Sequence, residues 1–266
     1  MGILIPVAPA APAAPYIGGK RILSKTIIAK INRTPHDGYA EAFVGMGGIF
    51  LRRDLQPRME AINDISGDVA NLFRILQRHY PQFLETLRFQ VTSRREHERL
   101  VKTDPTTLTD LERAARFLYL QKTAFGGKVS GRSFGVDKTS GARFNLLKIA
   151  PQLEAIHERM AGVVIEQLPW RQFIERYDRA GMLFYLDPPY WGNEGDYGAG
   201  VFSRSDFAEM ADVLSRIQGR FILSLNATQD VLETFAAFKI EEVDCSYSIA
   251  SGKPKDVREV LISGPA

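Results

Sequence analysis

An acid, two prolines and an aromatic stand in a row at Asp187, Pro188, Pro189 and Tyr190. That set suits one difficult reaction, making the exocyclic amine of a nucleic-acid base nucleophilic although its lone pair is delocalised into the ring. If the Asp187 carboxylate and a backbone carbonyl of the prolines each accept one amine hydrogen bond, the nitrogen is drawn towards tetrahedral geometry. Hydrogen bonds that strengthen as charge develops lower the barrier. Proline fixes φ and carries no backbone donor, so Pro188 and Pro189 present carbonyls from a stiff loop. Tyr190 offers a flat face for stacking a base rotated out of a duplex. The same four residues also fit an ordinary strand exit, in which Asp187 caps a turn and the prolines stop the strand.

The acid needs a strand behind it, and residues 182–186 are an unbroken apolar run. A doubly wound sheet keeps its ligand site at such C-terminal strand ends. A second strand-and-loop unit starts at Tyr39, runs through Ala42, Phe43 and Val44, turns on Gly45, Gly47 and Gly48, and is expected to enter a helix near Ile49. Glycines let the backbone approach a ligand closely. A further strand at 59–63 ends in Asp64, at the distance beyond a glycine turn (about twenty residues) where nucleotide-binding sheets place an acid for ribose hydroxyls. Upstream, Tyr16, Ile17, Gly18, Gly19 and Lys20 form a tight loop carrying an aromatic and a cation ahead of a helical stretch at 22–31. Lys20 is placed to meet a carboxylate, or to sit exposed at a helix start.

Charge is concentrated in the middle of the chain. Residues 86–148 hold 13 Lys and Arg against 6 Asp and Glu, an excess of +7 within a chain of net +3. Such a block is the electrostatic footprint of a polyanion partner, although any one of its charges also suits a solvated helix face. With 266 residues and 45% hydrophobic content, the chain can bury one larger core plus an insertion. No apolar stretch is long enough to cross a bilayer. Residues 6–15 alternate Ala and Pro and read as a disordered tail, so residues 1–15 are set apart from the fold. Cys245 is the single cysteine, permits no internal disulfide and suits a reducing cytoplasm, most simply as a core or half-buried side chain. His36, His79, His97 and His157 show no metal-ligand spacing, and no metal site is expected.

Between the two strand groups the pattern turns helical. Val69, Leu72, Phe73 and Leu76 recur at helical spacing, and Thr109 with Glu112 makes a capping box ahead of a helix running to about Lys122. Residues 125–144 interleave Gly and Ser with Lys128, Arg132, Lys138 and Arg143, a flexible basic loop able to enter a groove or track phosphates. Sheet rhythm then resumes: strand 162–167, helix 170–180, strand 182–186, helix 207–217, strand 221–225 with Asn226 at its end. A closing hairpin is expected at 240–246 and 259–262 around Gly252, Lys253 and Pro254. The expected architecture is an α/β Rossmann-like sheet, 16–67 and 156–266, interrupted by a basic helical insertion at 68–155.

Together these segments resemble the Dam-like DNA adenine methyltransferases, which use S-adenosylmethionine. The likeness rests on YIGGKRIL at 16–23, YAEAFVGMGGIF at 39–50, INDIS at 62–66, RAARFLYLQKTAFGG at 113–127, LDPPY at 186–190 and EVLI at 259–262, in that order. It implies that Tyr16, Gly19 and Lys20 touch the cofactor, that Phe43, Gly45 and Gly47 line its turn, and that Asp64 holds its ribose. Asp187, Pro188, Pro189 and Tyr190 would clamp a flipped adenine, with Asp187 also near the cofactor. From the basic block, and not from the likeness, Lys122, Lys128 and Arg132 are expected to contact DNA. Tyr16 stands where the best-known members carry Trp, and Gly126 where they have Asn, so the recognition sequence is not carried over with the likeness. The implied enzyme is a site-specific methyltransferase acting on the 6-amino group of adenine in double-stranded DNA, a monomer or weak dimer in a prokaryotic or phage-infected cytoplasm with no membrane partner. A cytosine 4-amino methyltransferase or a non-catalytic DNA-binding relative would share much of the pattern. Carbon-5 methylation fits poorly, since Cys245 is followed by Ser246 and not by proline.

Overall fold

The computed structural model describes residues 3–129, 131–136, 139, 141–198, 200–247 and 255–265. Among them run β1 (Ile5–Pro6), α1 (Ser24–Arg33), β2 (Gly38–Glu41), β3 (Leu55–Gln56), β4 (Met59–Asn63), α2 (Gly67–Arg78), α3 (Tyr80–Leu87), α4 (Arg94–Lys102), α5 (Asp110–Thr123) and α6 (Leu146–Arg159). The second half gives β5 (Val164–Glu166), α7 (Trp170–Tyr177), β6 (Met182–Leu186), α8 (Arg204–Leu214), β7 (Arg220–Asn226), α9 (Gln229–Thr234), β8 (Phe238–Tyr247) and β9 (Lys255–Pro265).

The main sheet has seven strands in the order β5-β4-β2-β6-β7-β9-β8. β5, β4, β2, β6 and β7 are parallel, while β9 runs antiparallel to both β7 and β8. The order reverses between β2 and β6, the crevice where open α/β sheets bind ligands. This is the Rossmann-like arrangement. β6 shows why its sequence is a continuous apolar run: Leu183 and Tyr185 enter the core under α1, α2 and α5, whereas Met182, Phe184 and Leu186 enter the one under α7 and α8. A strand covered on both faces has no solvent side to keep polar.

The helical segment at 68–155 adds to the first of those cores, with Leu72, Phe117 and Leu153 beside Tyr39 and Ile62. α2 leaves β4 directly and serves as a sheet-packing helix. A buried ion cluster fastens the far end of the segment: Glu60 on β4 accepts from Arg53 at 2.6 Å and from Arg159 of α6 at 2.7 Å, and both guanidiniums lie against aromatic rings, Tyr39 and Phe50.

Three expectations are corrected. The Ala/Pro stretch is ordered: β1 pairs antiparallel with β3, Val7 and Ala10 donate to the carbonyls of Asp54 and Leu51, and Ala10, Ala13 and Ala14 are buried. Proline at every third position (6, 9, 12 and 15) leaves the two amides between free to donate, and alanine is small enough to lie flat on the fold. After the glycine turn there is a single 3-10 turn, Phe50–Arg52, in place of a helix, because the backbone is already extended at Arg53 and must enter β3 at Leu55. The basic loop is folded back: Phe125 donates to Ser133 and Gly135 to Thr123, bridging Ala124 to Phe134. Lys138, the Cys245 side chain and the turn at 252–254 lie outside the described residues.

Candidate active site

The C-terminal ends of β2, β4 and β6 converge on one cavity of about 880 Å³, and β7 supports it from behind. Each strand delivers one group. β6 ends at Leu186, so Asp187 emerges at the lip with its side chain 18% exposed. The Lys20 ammonium lies 2.6 Å from Asp187 Oδ1 and donates to Tyr190 Oη at 2.6 Å, and the Glu259 carboxylate of β9 stands 3.8 Å away on its other side. Behind the acid, Ser224 of β7 donates its hydroxyl to Asp187 Oδ1 at 3.0 Å. Its single proton is thereby used, so Tyr185 donates to Ser224 in turn, at 3.0 Å. Asn226, at the end of β7, clasps the chain just past Tyr190 by exchanging two hydrogen bonds with the Trp191 main chain. The loop carrying the two prolines is thus anchored at both ends.

β2 brings a group that the sequence reading overlooked. Glu41 is 2% exposed, lines the cavity and accepts a 2.7 Å bond from Tyr39. Burial pushes its carboxyl up to about 8, against the pull of the Tyr39 hydroxyl and of Arg53. The sequence marks it only as an acid closing a short strand, Gly38–Glu41, and its burial is a property of the fold. Burial likewise raises Asp187 above the ordinary carboxylate range, with Lys20 and Ser224 opposing and Glu259 adding to the rise. Asp64 is pushed to about 6 by burial, opposed by the amides of Ser66 and Gly45, which it accepts at 2.9 Å each. The bond from Gly45 ties the glycine turn to β4: Gly45 takes a φ of 51°, and a Cβ there would strike the Tyr16 ring at 2.9 Å.

Of the residues singled out in the sequence, Tyr16, Gly19, Lys20, Phe43, Gly45 and Asp64 all line the cavity, as do Asp187 and Pro189. Gly47 does not. It sits beneath the turn at a φ of 74°, where a Cβ would meet Leu51 at 2.7 Å, so its part is packing. Pro188 is buried behind the loop, and Tyr190 is held by Lys20 at the edge. Lys122 and Arg132 line the same cavity, whereas Lys128 is exposed outside it. Burial lowers the Lys122 ammonium below the usual lysine range. Ala11, Pro12, Ala14 and Pro15 of the ordered N-terminal segment complete one wall. Among the described residues no cluster of three His, Cys, Asp or Glu could hold a metal ion.

The arrangement suits a cationic nucleoside. The cavity falls in the size range of small-molecule sites, Glu41 and Asp187 offer carboxylates to a positive centre, Asp64 offers oxygens to hydroxyls, and Tyr16, Phe43 and Phe202 supply flat apolar walls. Beside it, Asp187 presents an anchored acceptor next to a rigid Pro-Pro loop.

Comparison with known proteins agrees. Type II methyltransferase M.CviBI of Paramecium bursaria Chlorella virus NC1A is 19% identical over 222 residues, spanning 82% of this chain and 85% of its own. Type II methyltransferase M1.LlaDCHI of Lactococcus lactis subsp. cremoris is 23% identical over 282 aligned residues, spanning 95% and 94%. The family profile described as D12 class N6 adenine-specific DNA methyltransferase matches residues 16–249. The chain belongs to the D12 class of N6 adenine-specific DNA methyltransferases.

Proposed function

We propose that this enzyme methylates the 6-amino group of an adenine rotated out of double-stranded DNA, with S-adenosylmethionine as donor, and that Asp187 is its amine acceptor. Bound, S-adenosylmethionine supplies an electrophilic methyl on a sulfonium whose sulfur keeps the bonding pair as the methyl departs. The observation that carries the reading is the Asp187 carboxylate, anchored by Ser224 and Lys20 at the switch point of the sheet and opening onto a cavity lined with acids and aromatics. Asp187 and a carbonyl of Pro188 or Pro189 accept the two amine hydrogens, which frees the nitrogen lone pair; the nitrogen gives up one proton to solvent after the transfer. Tyr190 stacks the base. Positioning and fixed charges account for the catalysis, and no covalent enzyme intermediate is required.

Glu41 faces the positive centre of the donor, Asp64 takes ribose hydroxyls, Tyr16, Phe43 and Gly45 wall the remainder, and Lys20 aligns Asp187. Residues 68–155 serve as the target-recognition portion. Lys128, exposed, meets phosphates, while Lys122 and Arg132 reach the entering base from the cavity wall. The protein works as a monomer or weak dimer in the cytoplasm. No helix among the described residues is long and apolar enough to cross a membrane.

The test is expression in cells lacking adenine methylation, followed by sequencing that reports modified bases in their genomic DNA. The expected result is 6-methyladenine in one short sequence context with the wild-type chain and none with Asp187→Ala, which still binds the donor. Methylation by Asp187→Ala at the wild-type rate removes the assigned mechanism, and 4-methylcytosine in place of 6-methyladenine removes the assigned base.

A further inference from the structure

Gln121 lies in the last turns of α5, has no exposed surface and ties three separate segments together. Its amide nitrogen donates to Pro15 O at 2.9 Å and to Gly127 O at 2.6 Å, and its amide oxygen accepts from Arg132 Nη2 at 3.2 Å. Both amide protons and an acceptor site are therefore in use. Pro15 directly precedes Tyr16 in the cavity wall, and Gly127 with Arg132 belongs to the basic loop. The two segments touch at main-chain level as well. Ile17 donates to Gly127 O at 3.2 Å, and a Cβ on Gly127 would lie 3.1 Å from the Tyr16 amide nitrogen. A ligand that presses on Tyr16 thus shifts the carbonyl to which Gln121 is bonded, and Gln121 in turn holds the loop glycine and Arg132.

We propose that Gln121 couples occupancy of the donor cavity to placement of the basic loop, so that donor and DNA bind cooperatively through its amide. The inference rests on the site reading above, cavity for donor and loop for DNA. Such coupling is reciprocal: whatever factor DNA adds to donor affinity, donor adds to DNA affinity. Gln121 is a positioning residue and touches neither ligand.

The test uses S-adenosylhomocysteine, which cannot react, and a duplex carrying the sequence methylated in expressing cells. Its dissociation constant is measured by calorimetry with and without saturating duplex, for wild type and Gln121→Leu. The expected ratio is about tenfold in wild type, within the usual span of coupling factors, and below about twofold in the variant. Gln121→Asn, which keeps the amide but withdraws it by one methylene, guards against a variant that fails to fold, and the same fall is expected at a nearly unchanged Tm. A wild-type ratio near one, or a variant that melts lower yet keeps the full ratio, overturns the proposal and leaves the site reading intact. Failure of wild type to bind S-adenosylhomocysteine at all strikes the site reading itself.

Discussion

In the proposed mechanism Asp187 is the stronger amine acceptor when ionised, yet burial holds its carboxyl above the ordinary range. Turnover should therefore fall as pH drops through a point higher than a free aspartate would set. Ser224→Ala removes a donor that favours the carboxylate and should move the acid limb of the kcat/KM profile further up; a limb that stays in place detaches Ser224 from the acid. Glu41 gives a second titration. Its carboxyl binds a proton in the folded protein up to about pH 8 and in the unfolded chain only near the ordinary glutamate range, so it favours the fold at low pH. That contribution is lost progressively as pH rises from the glutamate range through 8. Glu41→Gln should flatten this slope in denaturant titrations. Because a cation beside Glu41 favours its ionised form, donor binding at pH 7 should release more proton from wild type than from the variant, as read by calorimetry in buffers of different ionisation heat. The pairing of Lys20 with a carboxylate was legible from one cation in a glycine loop, although not which carboxylate, since Asp187 is 167 positions away and only the sheet order joins them. Glu41 was not legible, because a strand-end acid usually reads as a solvent-facing one.

Elements with strong local signals lie where the sequence places them. The run at 59–63 and that at 182–186 coincide with β4 and β6, both short and each followed by an aspartate, Asp64 and Asp187. The Thr109–Glu112 capping box is formed in full at the start of α5. α8 begins three residues earlier than its apolar periodicity indicates, since Ser203 and Asp206 form a capping box of their own. What failed depended on tertiary context: the glycine turn leads into a single 3-10 turn, and the Ala/Pro segment gains order only from carbonyls that Leu51 and Asp54 offer it. The Arg53–Glu60–Arg159 cluster is equally invisible to periodicity, joining residues 99 apart. Glu60→Ala leaves two buried guanidiniums without their counter-charge and should cost about 3–5 kcal/mol in urea unfolding. Glu60→Gln, which keeps part of the hydrogen bonding, should cost less. A loss under 1 kcal/mol for Glu60→Ala would mean that water reaches the cluster.

Across the whole molecule, the helical segment at 68–155 and the sheet share one core. Leu72, Phe117 and Leu153 pack with Tyr39, Ile62 and Leu183, and α6 is bolted to β4 by Glu60. Urea unfolding followed by tryptophan fluorescence and by far-ultraviolet circular dichroism should give coincident transitions. The two tryptophans, Trp170 and Trp191, both belong to the sheet half, so a separately melting helical segment would split the two curves. Fold class was accessible from the sequence because alternating strand and helix signals constrain topology strongly. The depth at which the insertion is embedded was not, because shared burial is a property of faces meeting across long separations. The family profile begins at Tyr16, while one side of the ligand chamber is built from Ala11 to Pro15. On the proposed reading, a version trimmed to its homologous part would keep every recognisable motif and still offer the donor a vessel missing a stave. Family boundaries and working boundaries differ here by the width of a short run of alanines and prolines.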